Sequence, residues 1–151
     1  MLFKRISRSD PERVFIVVKN GYSTATLTNG QAVQWDMSAA DGVTVDIPGA
    51  AFNRMAAFAG IIADSIAYGS YGLMQVYGYH SAVIVDGSAT ENIYTGAPLF
   101  MSVAGLYLEG PWVASGTTEE LYVEFRPVAC ALEGYASAGT TGTIKAVIYA
   151  M

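Results

Sequence analysis

The chain has one histidine and one cysteine in 151 residues. With Cys130 alone, no disulfide can form within the chain, so oxidative cross-linking contributes nothing to its stability. His80 alone cannot build a multi-histidine metal centre in one chain. Three symmetry-related copies could gather three such side chains, but a structural histidine at the end of a strand is the simpler interpretation. We therefore expect no metal and no cofactor.

Charged residues are also scarce. They make up 14% of the chain, against about 25% in ordinary soluble domains, while hydrophobic residues make up 52% and the mean hydropathy is +0.34. No apolar run approaches the roughly 18 residues that a membrane-spanning helix requires, because residues such as Gly60, Asp64 and Gly72 interrupt every candidate. We predict no membrane partner. Instead, we expect part of the apolar surface to be covered by protein, in a homodimer, a homotrimer or a larger assembly.

Motifs for catalysis are missing. No glycine-rich phosphate loop and no glycine-serine-glycine elbow occurs in the sequence. Ser81 and Asp86 lie near His80 and suggest a catalytic triad, but Ser81 adjoins His80 and would point to the opposite face of a strand. The sequence therefore predicts a non-enzymatic protein.

The acidic residues offer two weaker alternatives. Glu120 and Glu124 resemble a carboxylate pair for glycoside hydrolysis, but alternation places both on the solvated face of a predicted strand. Loops that hold Asp36, Asp41 or Asp46 leave calcium binding open, although none has the regular acidic spacing of an EF-hand. Neither pattern predicts a defined site.

Charge is unevenly distributed along the chain. Residues 1–13 hold four basic and two acidic residues, a net of +2, and the rest of the chain holds four basic and eleven acidic residues, a net of −7. We interpret residues 1–13 as a basic arm that docks onto an acidic neighbour; a solvated, mobile terminus is the alternative. The acidic body disfavours direct binding of nucleic acid, which needs clustered Lys and Arg.

Glycine turns and alternating apolar residues predict an all-β fold. Asn20-Gly21, Asn29-Gly30 and Asp41-Gly42 are typical of tight turns. The glycines of Tyr68–Gly72 predict another turn, and residues 105–120 look like a projecting loop. We predict a single domain over residues 14–151, a β-barrel or β-sandwich of short antiparallel strands, and we see no repeat of fixed period. The predicted strands are Val14–Lys19, Tyr22–Thr28, Ala32–Met37, Val43–Ile47, Arg54–Ile62, Leu73–Tyr77, Ala82–Val85, a run from Gly96, Leu121–Pro127, Val128–Tyr135 and Ile144–Met151.

One predicted strand is ambiguous. Residues 50–63 fit a helical face as well as a strand. We favour the strand because Gly60 would weaken a helix and the adjacent Ile61 and Ile62 are β-branched.

Tyrosine is abundant, with ten in the chain beside two tryptophans. Tyr68, Tyr71, Tyr77 and Tyr79 cluster in one region, and Trp112 stands in the projecting loop. Such side chains suit protein interfaces and sugar-binding faces alike. We predict that these five contribute to an oligomer or partner interface; a carbohydrate- or receptor-binding β-sandwich of a fibre or cell surface is the alternative.

Residues 59–105 resemble the small β-barrel region of tailed-bacteriophage head decoration proteins, also called capsid cement proteins. The elements that carry the resemblance are Ala59-Gly60-Ile61, the turn Ala67-Tyr68-Gly69, the strand Gly72–Tyr79, and Gly96–Leu99 leading into Ser102–Gly105. A closing strand at Ile144–Tyr149 would complete the barrel.

This resemblance implies a virion protein assembled in the host cytoplasm that binds the major capsid protein on the outer surface of the shell and stabilises the shell. Members of the family commonly use a terminal arm to reach shell proteins. The matching segment here would be the capsid-binding arm formed by Phe3, Lys4, Arg5, Ile6 and Arg8.

Overall fold

The computed structural model describes residues 12–22, 25–47, 57–86, 92–102, 108–109, 127–136 and 140–150. These residues form nine β-strands and no α-helix, which confirms the all-β prediction. The described part of the chain contains no helix that could cross a membrane. The strands are β1 (Arg13–Asn20), β2 (Ala32–Trp35), β3 (Thr44–Asp46), β4 (Phe58–Ile62), β5 (Tyr71–Asp86), β6 (Pro98–Met101), β7 (Leu108–Glu109), β8 (Ala129–Ala131) and β9 (Thr141–Tyr149).

The strand pairings close into two small barrels. In the first, β1 pairs with β3, β3 with β2, β2 with β4, β4 with β5, and β5 returns to β1. In the second, β5 pairs with β7, β7 with β6, β6 with β8, β8 with β9, and β9 returns to β5. The β1–β3 and β5–β7 pairs are parallel, and all the others are antiparallel.

Strand β5 belongs to both barrels. Its first half pairs with β1 from Arg13 opposite Gly78 to Lys19 opposite Tyr71, and its second half pairs with β9 as far as Asp86 opposite Thr141. The register shifts once in each half. Such bulges bend a strand and increase its twist, which lets one 16-residue strand follow the walls of two barrels.

The second barrel repeats the connectivity of the first. Each begins with a strand that pairs in parallel at its end, and each has an isolated antiparallel bridge, Leu27 with Ile66 in the first barrel and Ile93 with Tyr135 in the second. The backbone of each bridge exchanges two hydrogen bonds of 2.8–3.0 Å. The structure therefore contains an internal repeat, although, as predicted, it has no fixed period in the sequence.

The two repeats share turn geometry more than residues. Gly30 and Gly96 lie 66 residues apart, with φ of 87° and 86°. Gly30 donates its N–H to the carbonyl oxygen of Ile62 at the end of β4, and Gly96 donates to that of Ala131 at the end of β8. The connection from β3 to β4 spans residues 47–57, whereas that from β7 to β8 spans residues 110–128. Because the connections differ in length, the repeat has no constant period in the sequence.

Each barrel has its own apolar core. The first core includes Val18, Val33, Val45, Ile62 and Met74. The second core contains three residues of the first barrel, Ala32, Phe58 and Ile61. The second barrel contributes its remaining members: Val83, Val85, Ile93, Leu99, Met101, Leu108, Ala129, Ala131, Ile144, Ala146 and Ile148. The side chains from β2 and β4 thus join the barrels. At about 25 cal/mol per Å² of buried apolar surface, these two clusters supply the main stabilising term.

Several local predictions are wrong. The segments Leu73–Tyr77 and Ala82–Val85 are parts of one continuous β5, and Gly72 lies inside that strand rather than in a turn. In the described part of Tyr22–Thr28 there is a bridge at Leu27 but no strand. Asn20-Gly21 is not a hairpin turn, because β1 pairs in parallel with β3 at this point. His80 lies within β5 and not at its end.

Other predictions are confirmed. The turns at Gly30, Gly42 and Gly69 all have positive φ, and the ambiguous segment forms a strand, β4, where it is described. The arm with Phe3, Lys4, Arg5, Ile6 and Arg8, the projecting loop 105–120 with Trp112 (except for β7), and Glu120 and Glu124 lie outside the described residues.

Candidate interaction surface

Strand β1 is apolar on both of its faces. Val18 points inward and is fully buried, whereas Phe15 and Val17 are exposed to solvent at 40% and 59%. Arg13 and Lys19 lie at the two ends of this outward row. Alternation explains the arrangement, since every second residue of a strand points to the same face.

Strand β5 extends this row into a surface. Its register places Tyr71 beside Lys19, Leu73 beside Val17 and Gln75 beside Phe15. Tyr71 is 64% exposed, and Leu73 is 40% exposed. We call the surface formed by Phe15, Val17, Tyr71 and Leu73 the β1–β5 face. An exposed apolar surface of this kind usually marks a site of interaction.

The edges of this face carry two cations, Arg13 and Lys19. Within the described ranges, the basic residues are Arg13, Lys19 and Lys145. Lys145 forms an ion pair of 3.0 Å with Glu133, whereas neither Arg13 nor Lys19 forms an ion pair with a described carboxylate. Two positive charges therefore flank an apolar surface on an otherwise acidic molecule.

A depression of about 240 Å³ lies at one end of the face. Gln75 is almost fully buried there, and its Nε2 donates hydrogen bonds to the carbonyl oxygens of Tyr77 (3.1 Å) and Tyr79 (3.0 Å). These bonds provide partners for the Gln75 amide nitrogen, close to the position where a bulge interrupts the pairing of β5 with β1. The lining residues are Arg13, Phe15, Asn29, Ala63, Asp64, Leu73, Gln75, His80 and Ser81.

His80 is held by the backbone of its own strand. Its Nδ1 accepts a hydrogen bond of 3.1 Å from the N–H of Ala82, across the bulge between His80 and Val83. Burial lowers the pKa of His80, the positive charge of Arg13 lowers it further, and a hydrogen bond with the backbone of Ile62 acts in the opposite direction. The imidazole is therefore neutral at pH 7.

The residues of the suspected triad are not brought together. Ser81 follows His80 into the bulge, and the hydrogen bond of His80 goes to Ala82 and not to Ser81. Asp86 lies six residues further along the same strand, a separation of about 20 Å at 3.3 Å per residue. A triad requires a hydrogen-bonded chain of all three groups, and this strand does not provide one.

The aspartates of the β2–β3 connection bind their own backbone. Asp36 Oδ1 accepts hydrogen bonds from the N–H and Oγ of Ser38, and Asp41 accepts bonds from the N–H groups of Val43 and Thr44 and from the Thr44 hydroxyl. These bonds lower the pKa of Asp36 and lower that of Asp41 to about 2. The described ranges contain no group of three or more His, Cys, Asp or Glu side chains placed to hold a metal ion.

The predicted interface tyrosines fall into two groups. Tyr71 on the β1–β5 face, Tyr77 further along β5 and Tyr68 in the turn that leads into β5 are exposed. Tyr79 is half-buried and lies near Lys145, whose pKa it helps to raise after the larger effect of Glu133. Trp112 lies outside the described residues. Whether any of them contacts a partner stays a prediction.

Sequence analysis missed the β1 half of this surface. The sequence predicts a strand at Val14–Lys19, but this prediction does not include an exposed apolar surface at its outward positions, Phe15 and Val17. A strand with apolar residues on both faces is normally buried on both faces. This strand has one such face exposed, and that contrast was the available signal.

No protein-family model matches the chain, and no curated protein matches it in sequence. The fold, however, is similar to a solved structure, that of the N base of head fibre gp8.5 of bacteriophage phi29. The similarity has a TM-score of 0.50 at 15% sequence identity, and it covers 92% of this chain and 96% of that chain. The similarity is one of fold, and it extends over nearly the whole of both chains.

Proposed function

We propose that this chain is a non-enzymatic structural protein of a bacteriophage virion, bound to the outer surface of the head through the major capsid protein. The observation that supports this most directly is the similarity to the head fibre base, which extends over nearly the whole of both chains. A shared β-turn or a single shared barrel would cover much less.

Two roles on the head fit this proposal. The first is a base module of a head fibre, and the fold comparison favours it. The second is a decoration or cement protein, and the sequence resemblance at residues 59–105 favours that role. A fibre base needs only to bind the shell, whereas a cement protein must also stabilise it. A protein that binds the assembled shell but not the free capsid protein stabilises the shell by about 3–4 kcal/mol per site at 100 to 1,000 times the dissociation constant, whereas one that binds both equally does not stabilise it.

The test is binding of the purified full chain to empty shells of the phage that encodes it. Sedimentation and electron microscopy should find the protein at symmetric positions in stoichiometric amounts. Shells that stay bare at saturating protein would contradict the proposal. Among shells that do bind, a raised temperature of disruption identifies a cement protein, and an unchanged one identifies a fibre base.

The basic arm gives a second test of the same proposal. Replacing Lys4, Arg5 and Arg8 by alanine should weaken binding to shells and reduce its dependence on salt, because fewer charged contacts remain. The melting temperature of the free protein should not change. Full occupancy by the triple variant would exclude a role for the arm in docking.

Carbohydrate or receptor binding by a fibre protein is a different function. The exposed tyrosines on β5 could serve as stacking platforms for sugars. Saturable binding on a glycan array that is lost in a Tyr71→Ala variant would support that function instead of, or in addition to, attachment to the head.

A further inference from the structure

The β1–β5 face is large enough to be the centre of a protein interface. Its two aromatic side chains, Phe15 and Tyr71, leave exposed the equivalent of about one whole aromatic side chain, or roughly 200 Å², and Val17 and Leu73 add to this area. A standard interface buries about 800 Å² on each partner, with an apolar core inside a polar rim. The face supplies an apolar core of the right size, and its charged ends supply a rim.

The charges around the face are self-complementary. Lys19 lies beside Tyr71 on the β1 side of β5. On the other side of β5, the N–H of Ala63 donates to the carbonyl oxygen of Leu73 at 3.0 Å, and Asp64 follows directly. A cation and an anion therefore flank the same apolar centre, and neither forms an ion pair within the described residues.

An interface between two identical surfaces needs this kind of arrangement, because residue i of one copy meets residue j of the other and the reverse. Turning one copy about an axis along β5 would bring Lys19 of each chain to Asp64 of the other, with Tyr71 and Leu73 stacked between them. The described surface as a whole is acidic, with eight carboxylates against three basic side chains. A second copy thus offers each Lys19 an ion-pair partner in addition to the longer-range attraction to Asp41 of its own chain.

We infer that the β1–β5 face seats a second copy of this chain and that the protein associates with itself through Phe15, Val17, Tyr71 and Leu73. The inference does not rest on the proposed function, since it concerns the purified chain in the absence of any shell.

The experiment is sedimentation equilibrium of the full chain from about 1 to 100 µM, with Tyr71→Lys, Val17→Lys and Tyr94→Lys. Tyr94 is the matched control, because it is 69% exposed, it lies beside a glycine turn as Tyr71 does, and it belongs to the other barrel. Wild type and Tyr94→Lys should self-associate. Tyr71→Lys and Val17→Lys should weaken association by roughly tenfold or more, as central interface residues do.

Circular dichroism would check that each variant keeps its fold, and Val17→Ser and Tyr71→Ser are milder replacements if a lysine does not. A dimer that dissociates selectively in the face variants supports the inference, whereas a trimer overturns it, because a three-fold contact does not pair identical surfaces. A wild-type monomer at 100 µM overturns it, and so does an oligomer that persists in the face variants or dissociates equally in Tyr94→Lys.

Discussion

Ile84 donates its backbone N–H to the carbonyl oxygen of Gly30 at 2.9 Å, and this bond crosses from the second barrel to the first. The α-carbon of Gly30 packs so closely on β5 that an added Cβ would overlap the carbonyl oxygen of Ala82 and contact the side chain of Ile84 at 3.1 Å. The two barrels therefore meet at a backbone contact that admits no side chain.

Replacing Gly30 by alanine should destabilise the protein by about 3 kcal/mol or more, because backbone strain at φ of 87° adds to an overlap with backbone that cannot move aside. Gly96→Ala is the matched control. Gly96 has φ of 86°, but an added Cβ would meet no atom within 4 Å, so only the strain of about 1 kcal/mol remains. Urea unfolding measures both. Equal losses would contradict a close contact between the barrels at Gly30.

Asn20 should be among the most sensitive polar residues. It is fully buried, its Nδ2 donates to the carbonyl oxygens of Ile66 (2.8 Å) and Ala25 (3.1 Å), and its Oδ1 accepts from the N–H of Tyr22 (2.8 Å). Asn20→Ala leaves these groups without partners and should cost roughly 2–4 kcal/mol.

Asn29 provides the control for Asn20. Its Nδ2 donates one exposed bond of 2.9 Å to the carbonyl oxygen of Ala63, which water can replace, so Asn29→Ala should cost under about 1 kcal/mol. The two variants should be compared by denaturant unfolding at the same pH. A loss at Asn20 as small as that at Asn29 would mean that water reaches the Asn20 site.

His80 predicts a loss of stability in mild acid. Burial lowers its folded pKa below the ordinary value of 6.5, so the unfolded chain binds a proton first as the pH falls. The free energy of unfolding should therefore decrease from about pH 6.5 downward, until the folded pKa is passed. His80→Asn keeps an acceptor for the Ala82 N–H but does not titrate. Its unfolding free energy should change less between pH 7 and pH 5 than that of wild type, and an identical slope would contradict the prediction.

The carboxylate of Asp41 should affect stability in a separate pH range, below that of His80. Its folded pKa of about 2 lies below the ordinary 3.8, so its ionised form stabilises the loop above pH 4 and this contribution is lost as the pH falls towards 2. Asp41→Ala should be less stable than wild type at pH 7, and the difference should shrink between pH 4 and pH 2. Asp41→Asn keeps an acceptor for the N–H groups of Val43 and Thr44 and should lose less. A difference that does not vary with pH would exclude the carboxylate as its cause.

Local signals predicted the strands well and their partners poorly. Val14–Lys19 became β1 with one residue added at each end, because alternation and β-branching act within the segment. The prediction of a hairpin turn at Asn20-Gly21 is wrong because the Asn20 side chain donates a hydrogen bond to the carbonyl oxygen of Ile66, 46 residues away. Such a distant contact overrides a dipeptide preference, and nothing in the local sequence indicates it.

The candidate interaction surface was also predictable only in part, because some of its residues come together through strand pairing. The number and clustering of the tyrosines predict an interface at Tyr71 and Tyr77, and both side chains are exposed on β5. Phe15 and Val17 complete the β1–β5 face only because β1 pairs with β5, a pairing of residues almost 60 positions apart. Gly72 was assigned to a turn, but it lies in β5 where an added Cβ would stand 2.5 Å from the Ile66 side chain. Glycine there makes room for a neighbour instead of reversing the chain.

Because β5 belongs to both barrels, we expect the two barrels to unfold together. If the first barrel opened, β5 would lose the hydrogen bonds that hold its first half straight, and the second barrel would be left with a frayed wall at the point where Tyr77 meets Tyr149. Heat or denaturant should therefore melt both repeats in one step, and a proteolytic cut within this strand should release two unfolded fragments rather than two surviving barrels.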